Sequence, residues 1–269
     1  MALLSVNGIN FCYESKAVIK DVSITLSAGS LVGIVGPNGG GKSTLIKLLA
    51  KQMMPTAGEI VLKQQPLSNY TMKQLAKHIA YLPQHPTIPA GITVEQLVQY
   101  GRHPHQSWFR QWSEQDAEQV AKAIQLMNLE SILDQSVASL SGGQRQRAWL
   151  AMILAQDTDI ILLDEPTSAL DIGHQIEVLE SISEMVSAGK TVVLVIHDLA
   201  AAARYCDELI AIGEGKVIAS GPVNDVITKS LIDSLYKTDV DIMQAPFDHA
   251  PVIVPRRKKS NVVDLKRLG

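Results

Sequence analysis

Nine residues from Gly36 to Thr44 read GPNGGGKST, and their types suit one kind of chemistry, the holding of a phosphate chain. Gly36, Gly39, Gly40 and Gly41 carry no Cβ, so backbone N–H groups can turn inward toward an anion. Lys42 brings a point charge to β- and γ-phosphate oxygens, and Ser43 offers a hydroxyl to Mg²⁺. Pro37, Asn38 and Thr44 complete the loop. A second set lies in IILLDEP (160–166), where an apolar run ends in Asp164, placed to hold the Mg²⁺ shell. Glu165 stands beside it as a candidate base for an attacking water. His197 ends the apolar VVLVI (192–196) and is placed to meet either the γ-phosphate or that water. A lone histidine is more often a bystander. What separates this one from His85, His103 and His105, read as surface or packing residues, is its place at such a strand end. Gln84, in YLPQHP, offers an amide to Mg²⁺ or to water, and by itself says little. Tyr13 carries a ring able to stack on adenine for ~1–3 kcal/mol, or simply to sit half-buried in a strand. LSGGQRQR (140–147) opens with a serine cap and two glycines, a second helix start of phosphate-binding type far from the first.

These groups need elements to position them. LVGIV (31–35), DIILLDE (159–165) and TVVLVIHD (191–198) are short, nearly continuous apolar runs, as expected of parallel strands buried on both faces. Each hands over at once to polar residues, and ligands of open parallel sheets sit beyond the carboxyl ends of the strands. The chemistry is therefore expected along one sheet edge. GPNGGGKST stands between LVGIV and the helical TLIKLLAKQM, the strand–turn–helix setting that a P-loop requires. LIAIGEGKVIASG (209–221) reads as a hairpin at the sheet margin with a structural role. From Gln84 to about Thr158 the spacing turns helical, so a mostly helical lobe (85–158) is read as inserted in an α/β core (1–84 and 159–240). Within it YGRHPHQSWFRQW (100–112) is broken by proline and carries Trp108 and Phe109, a loop or a docking surface.

With 269 residues, 46% of them hydrophobic, the chain can bury a good core without staples. Cys12 and Cys206 lie far apart and outside any metal-type cluster, which fits a reducing compartment. No stretch approaches the ~20 apolar residues of a membrane span. The start MALLSVNGIN lacks the pattern of a cleaved signal, so neither crossing nor export is expected. A net charge of -3 and 4% aromatics argue against nucleic acid as a partner. The exception is the extension 241–269, whose end gathers Arg256, Arg257, Lys258, Lys259, Lys266 and Arg267, read as a solvated basic tail.

Taken in order, GPNGGGKST, LPQ, LSGGQ, ILLDEPTSALD and VIHD resemble the nucleotide-binding subunit of an ABC transporter over nearly the whole chain. The resemblance implies a RecA-type P-loop NTPase core with a mainly parallel sheet, an N-terminal antiparallel β subdomain and an inserted α-helical subdomain. It assigns Tyr13 to adenine stacking, Gln84 to the Q-loop, Ser141, Gly142, Gly143 and Gln144 to the signature, Asp171 to the D-loop and His197 to the switch histidine. Gly40 replaces a small side chain common there, and Glu14 stands where glycine is frequent. The second helix start is then explained: in this family it serves the ATP, with Mg²⁺, held by another copy, giving a head-to-tail dimer with two nucleotides sandwiched. GRHPH, LSGGQRQRAWLAMILAQ, LDIGHQIEVLE and the late APVIVP resemble the importer subclass for iron-siderophore, haem and cobalamin uptake, nearest to ferric enterobactin-type systems. Such a subunit sits peripherally on the cytoplasmic face of the bacterial inner membrane, works with permease subunits, and is served indirectly by a periplasmic substrate-binding protein. A soluble ABC ATPase acting on ribosomes or DNA would carry two nucleotide domains or long insertions, and a GTPase or kinase would leave LSGGQ unexplained.

Overall fold

A computed structural model describes residues 2–87, 91–106, 112–168, 170–246 and 249–256. Trp108, Phe109 and the basic residues beyond Arg256 lie outside the described residues. The strands are β1 (Ala2–Tyr13), β2 (Lys16–Ser27), β3 (Leu31–Val35), β4 (Ala57–Leu62), β5 (Gln65–Pro66), β6 (Ile79–Leu82), β7 (Ile160–Asp164), β8 (Thr191–Val195), β9 (Glu208–Gly213), β10 (Lys216–Pro222), β11 (Val240–Gln244) and β12 (Pro251–Pro255). The α-helices are α1 (Lys42–Leu49), α2 (Met72–Leu75), α3 (Val94–Tyr100), α4 (Glu114–Leu126), α5 (Gly142–Ala155), α6 (Ile172–Ser187), α7 (Leu199–Tyr205), α8 (Val223–Val226) and α9 (Lys229–Tyr236).

The larger sheet runs β10-β9-β3-β8-β7-β6, with β9, β3, β8, β7 and β6 mutually parallel and only β10 antiparallel at the margin. The three apolar runs of the sequence are β3, β7 and β8, and every residue in them is buried. The reason is two cores, one on each face. Val32 and Ile34 of β3 point into the core shared with α1 and the antiparallel sheet β2-β1-β4-β5, while Leu31 and Val35 point into the other. A strand with no solvated face has no polar alternation, which is why these runs read as continuous.

Helix α1 lies between the two sheets and buries Leu45, Ile46, Leu48 and Leu49. Each such side chain contributes roughly 1.5–3 kcal/mol on burial. The start of α1, which carries the glycine-rich loop, is therefore anchored to both sheets.

The second core runs from the sheet into α3, α4 and α5 through Leu97, Val98, Val120, Ala123, Ile124, Leu150 and Ile153. A fully buried ion pair fixes this lobe. Arg102 donates from Nε to Asp116 Oδ1 at 2.8 Å and from Nη1 to the Ala155 carbonyl at 2.8 Å. Burial opposes the charge on Asp116, but the Ser113 hydroxyl and the Arg102 guanidinium outweigh it and hold the carboxyl at about 2. The end of α3, the start of α4 and the end of α5 are thereby tied at one point, and removing either partner would strand a buried charge. His105 adds a 2.8 Å contact from Nε2 to the Gln156 carbonyl, a packing role as expected.

The β11–β12 hairpin modifies the reading of the tail. Arg256 is not free in solvent: its Nε and Nη2 meet both carboxylate oxygens of Asp241 at 2.6 and 2.5 Å. Among the described residues no helix is long and apolar enough to cross a membrane.

Candidate functional site

The glycine-rich loop leaves β3 and enters α1 in the strand–turn–helix order read from the sequence. Gly36 has φ +147°, and a Cβ there would stand 2.0 Å from the Ile212 carbonyl oxygen. Gly41 is the N-cap of α1 at φ +108°, and no side chain caps the helix. The first-turn N–H groups of α1 are thus left to an outside acceptor, the arrangement that suits an anion.

Lys42 is buried, and its Nζ donates to the carbonyls of Gly36 and Pro37 at 2.9 and 3.1 Å. Desolvation lowers its pKa, opposed by the negative charge of Glu165 and Asp164. Ser43 Oγ donates to Asp164 Oδ1 at 3.0 Å. Asp164 is itself buried at the end of β7, and its pKa is raised by that desolvation.

Glu165 follows in the left-handed region at φ +54°. A non-glycine residue there costs of order 1 kcal/mol or more and persists only where its neighbours impose it. The Ser168 hydroxyl and amide do so, donating to the Glu165 carbonyl at 3.0 and 3.2 Å. The turn aims the carboxylate back over the sheet edge, where Gln84 Nε2 donates to Oε2 at 2.5 Å and His197 Nε2 lies 2.5 Å from Oε1. Gln84 follows β6 and His197 follows β8, so three neighbouring strand ends converge on one carboxylate, a contact that the sequence reading did not contain.

Asn38, Gly39, Gly41, Lys42, Ser43, Thr44, Glu165 and His197 line one open cleft of about 580 Å³, together with Lys16 and Lys20 of β2. Glu214 and Gly215 line it too, which the sequence did not suggest. The β9–β10 turn was read as margin, yet Gly215 N–H donates to the Gly40 carbonyl at 3.0 Å and the Gly215 carbonyl accepts from Lys20 N–H at 2.8 Å. It clamps the phosphate loop to β2. Tyr13 ends β1 and pairs with Lys16 of the cleft lining, with its ring edge-on to Phe11 at 5.0 Å and its hydroxyl on Met53 Sδ at 3.4 Å. Glu14 takes φ +52°, the conformation that favours glycine and the physical sense of the departure noted there.

The second helix start is not part of this cleft. Ser141 caps α5 in a capping box: Gln144 N–H donates to Ser141 Oγ at 3.3 Å, and Ser141 N–H to Gln144 Oε1 at 3.1 Å. Gly142 lines a separate cleft of about 350 Å³ with Gln84, His85, Ser168 and Leu170. Asp171 caps α6 and accepts from His174, whose hydrogen bonds lower its pKa.

Besides Glu214 and Gly215, two further residues escaped the sequence reading. The Tyr81 hydroxyl is buried and has no hydrogen-bond partner among the described residues. Burial, with Asp164 nearby, pushes its phenol up to about 12. The alternation along β6 and β7 puts both on one face of the sheet, a signal available to pattern reading once the strands are paired. His174 is the other, and nothing in the sequence places it against Gly143, where a Cβ would stand 2.1 Å from its ring.

The family model described as ABC transporter matches residues 19–168. The ferric enterobactin transport ATP-binding protein FepC of Escherichia coli (strain K12) is 44% identical over 244 residues, 90% of each chain. The petrobactin import ATP-binding protein FpuD of Bacillus anthracis is 41% identical over 260 residues, 96% of this chain and 95% of its own length. Among solved structures, an inward-facing transporter described as of metal-chelate type contains a chain that superimposes with a TM-score of 0.82 at 27% identity, covering 95% of this chain and 98% of that one. The open phosphate cradle, the carboxylate pair behind it and these likenesses agree, and the chain belongs to the ABC transporter family as an ATP-binding subunit that hydrolyses ATP.

Proposed function

We propose that this chain energises uptake of a ferric siderophore of catecholate type, working as a pair of copies beneath a permease on the cytoplasmic face of the inner membrane. The observation that carries the chemistry is the Glu165 carboxylate, presented by a left-handed backbone and held between Gln84 and His197 one residue beyond the Asp164–Ser43 contact.

The triphosphate lies on the uncapped start of α1, where Lys42 exchanges the loop carbonyls for phosphate oxygens. Tyr13 stacks on adenine at the cleft mouth. Ser43 and Asp164, in contact at 3.0 Å, offer a hydroxyl and a carboxylate, and the amide oxygen of Gln84, whose nitrogen is held by Glu165, would add a third donor to a hard set that suits Mg²⁺. Burial penalises the charge on Asp164, and a divalent cation offsets that penalty. Held by these residues, Mg²⁺ would supply positive charge against the phosphate oxygens. Glu165 accepts the proton of the attacking water, and His197 fixes the carboxylate and meets the γ-phosphate.

One cradle leaves part of the γ-phosphate open to water. Ser141, Gly142, Gly143 and Gln144 of a second copy close it, with Asp171 alongside, so ATP holds the dimer and hydrolysis releases it. The lobe 85–158 passes the motion to the permease. The siderophore cargo follows from relatives named for enterobactin and petrobactin. Growth of a deletion strain on single iron sources tests it: loss confined to catecholate siderophores is expected, and loss confined to haem or cobalamin would overturn it.

A further inference from the structure

The signature residues and Asp171 sit on separate elements, α5 of the helical lobe and the cap of α6; the two helices share the second core further along, and at their exposed starts His174, backed by Leu170, joins them. His174, in the first turn of α6, turns the Cδ2 edge of its ring to α5: a Cβ on Gly143 would be 2.1 Å from its Cδ2 and 2.9 Å from its Cγ. The other side of the ring faces Asp171, with Nδ1 2.9 Å from each carboxylate oxygen, and its backbone N–H donates to Asp171 Oδ1 at 3.0 Å. Leu170 backs the contact, its Cδ2 3.3 Å from the Cβ position of Gly142. The His174 side chain is 39% exposed, so this is not core packing. What the contact supplies is a fixed spacing between two elements. Gly143 is also explained within one copy: any side chain there meets the imidazole before it meets a phosphate.

We propose that His174 is a positioning residue, a strut that locks the signature start of α5 to Asp171 so that both reach a partner copy's nucleotide together. The inference rests on the two-copy reading of the signature. Two exposed helix starts left to fray independently would have to be ordered at the moment of association, which weakens it. The strut removes that ordering step beforehand without touching the copy's own phosphate cradle.

The test is the specific ATPase activity of the full chain as protein concentration rises, beside single-copy binding of a fluorescent ATP analogue at low protein. For His174→Ala the activity curve should move to roughly tenfold higher protein with its plateau kept, while single-copy binding stays unchanged. His174→Asn keeps a group for Asp171 without the ring and should shift part of the way. Gly143→Ala should lower the melting midpoint, and adding His174→Ala should restore it. If the wild-type curve is flat, the two-copy reading fails and this inference with it. If the wild type depends on concentration and His174→Ala superimposes on it, the two-copy reading stands and the strut is refuted. Loss of single-copy binding in His174→Ala would make the residue an ordinary structural one, which also refutes it.

Discussion

The two glycine-rich helix starts, at α1 and α5, look alike as sequence and differ in how their backbone donors are satisfied. At α1 the cap is Gly41, which has no side chain to offer, and the loop is clamped from outside by Gly215 and Ile212. At α5 the cap is Ser141, whose hydroxyl takes the Gln144 N–H while its own N–H goes to the Gln144 side chain, so part of the first turn is satisfied without a ligand and the Gly142 and Gly143 N–H groups are left over. A helix start without its own cap is stable only where the surrounding fold holds it, and α1 is wedged between two sheets. A self-capped start can stand exposed until something is brought to it, and Gly142 is exposed. On the two-copy reading proposed above, the first holds a phosphate within reach and the second waits for one.

The largest effect should separate holding from cleaving. Glu165→Gln should lower kcat by about 10²–10⁴-fold, the usual worth of a positioned base, with ATP affinity kept, as steady-state turnover and equilibrium binding would show. Undiminished turnover would remove Glu165 from the mechanism. Next, Lys42→Ala should weaken ATP binding roughly 100-fold, since charge-assisted bonds at ~1.5–3 kcal/mol each are lost at the first cradle. Ser141→Ala should leave that single-copy affinity untouched, and equal losses from both variants would erase the distinction between the two starts. The smallest effect is on stability: Ser141→Ala removes a cap worth about 1 kcal/mol, and a lowered melting midpoint would register it.

Much of this was legible because burial on both faces leaves its mark on a strand. β3, β7 and β8 could be read directly, and with them the edge where Lys42, Ser43, Asp164, Glu165 and His197 meet. Contacts between segments remote in sequence were not. No local pattern tells that Gly215 closes on Gly40, that Tyr81 faces Asp164 with a hydroxyl unpaired among the described residues, or that His174 fills the space over Gly143. Arg256 was grouped with the basic tail because charge runs look solvated, whereas the β11–β12 pairing brings Asp241 beside it. The left-handed φ of Glu165 is likewise invisible in the string ILLDEP, being imposed by Ser168 in three dimensions.

That the α5 start acts on a nucleotide held by another copy is tested most directly by sedimentation of Glu165→Gln with and without ATP, beside the same protein carrying Ser141→Arg. ATP should convert the first protein to a dimer and leave the second monomeric while each copy still binds ATP. A Ser141→Arg protein that dimerises as readily, or a strictly monomeric wild type turning over ATP at full rate, would contradict the account.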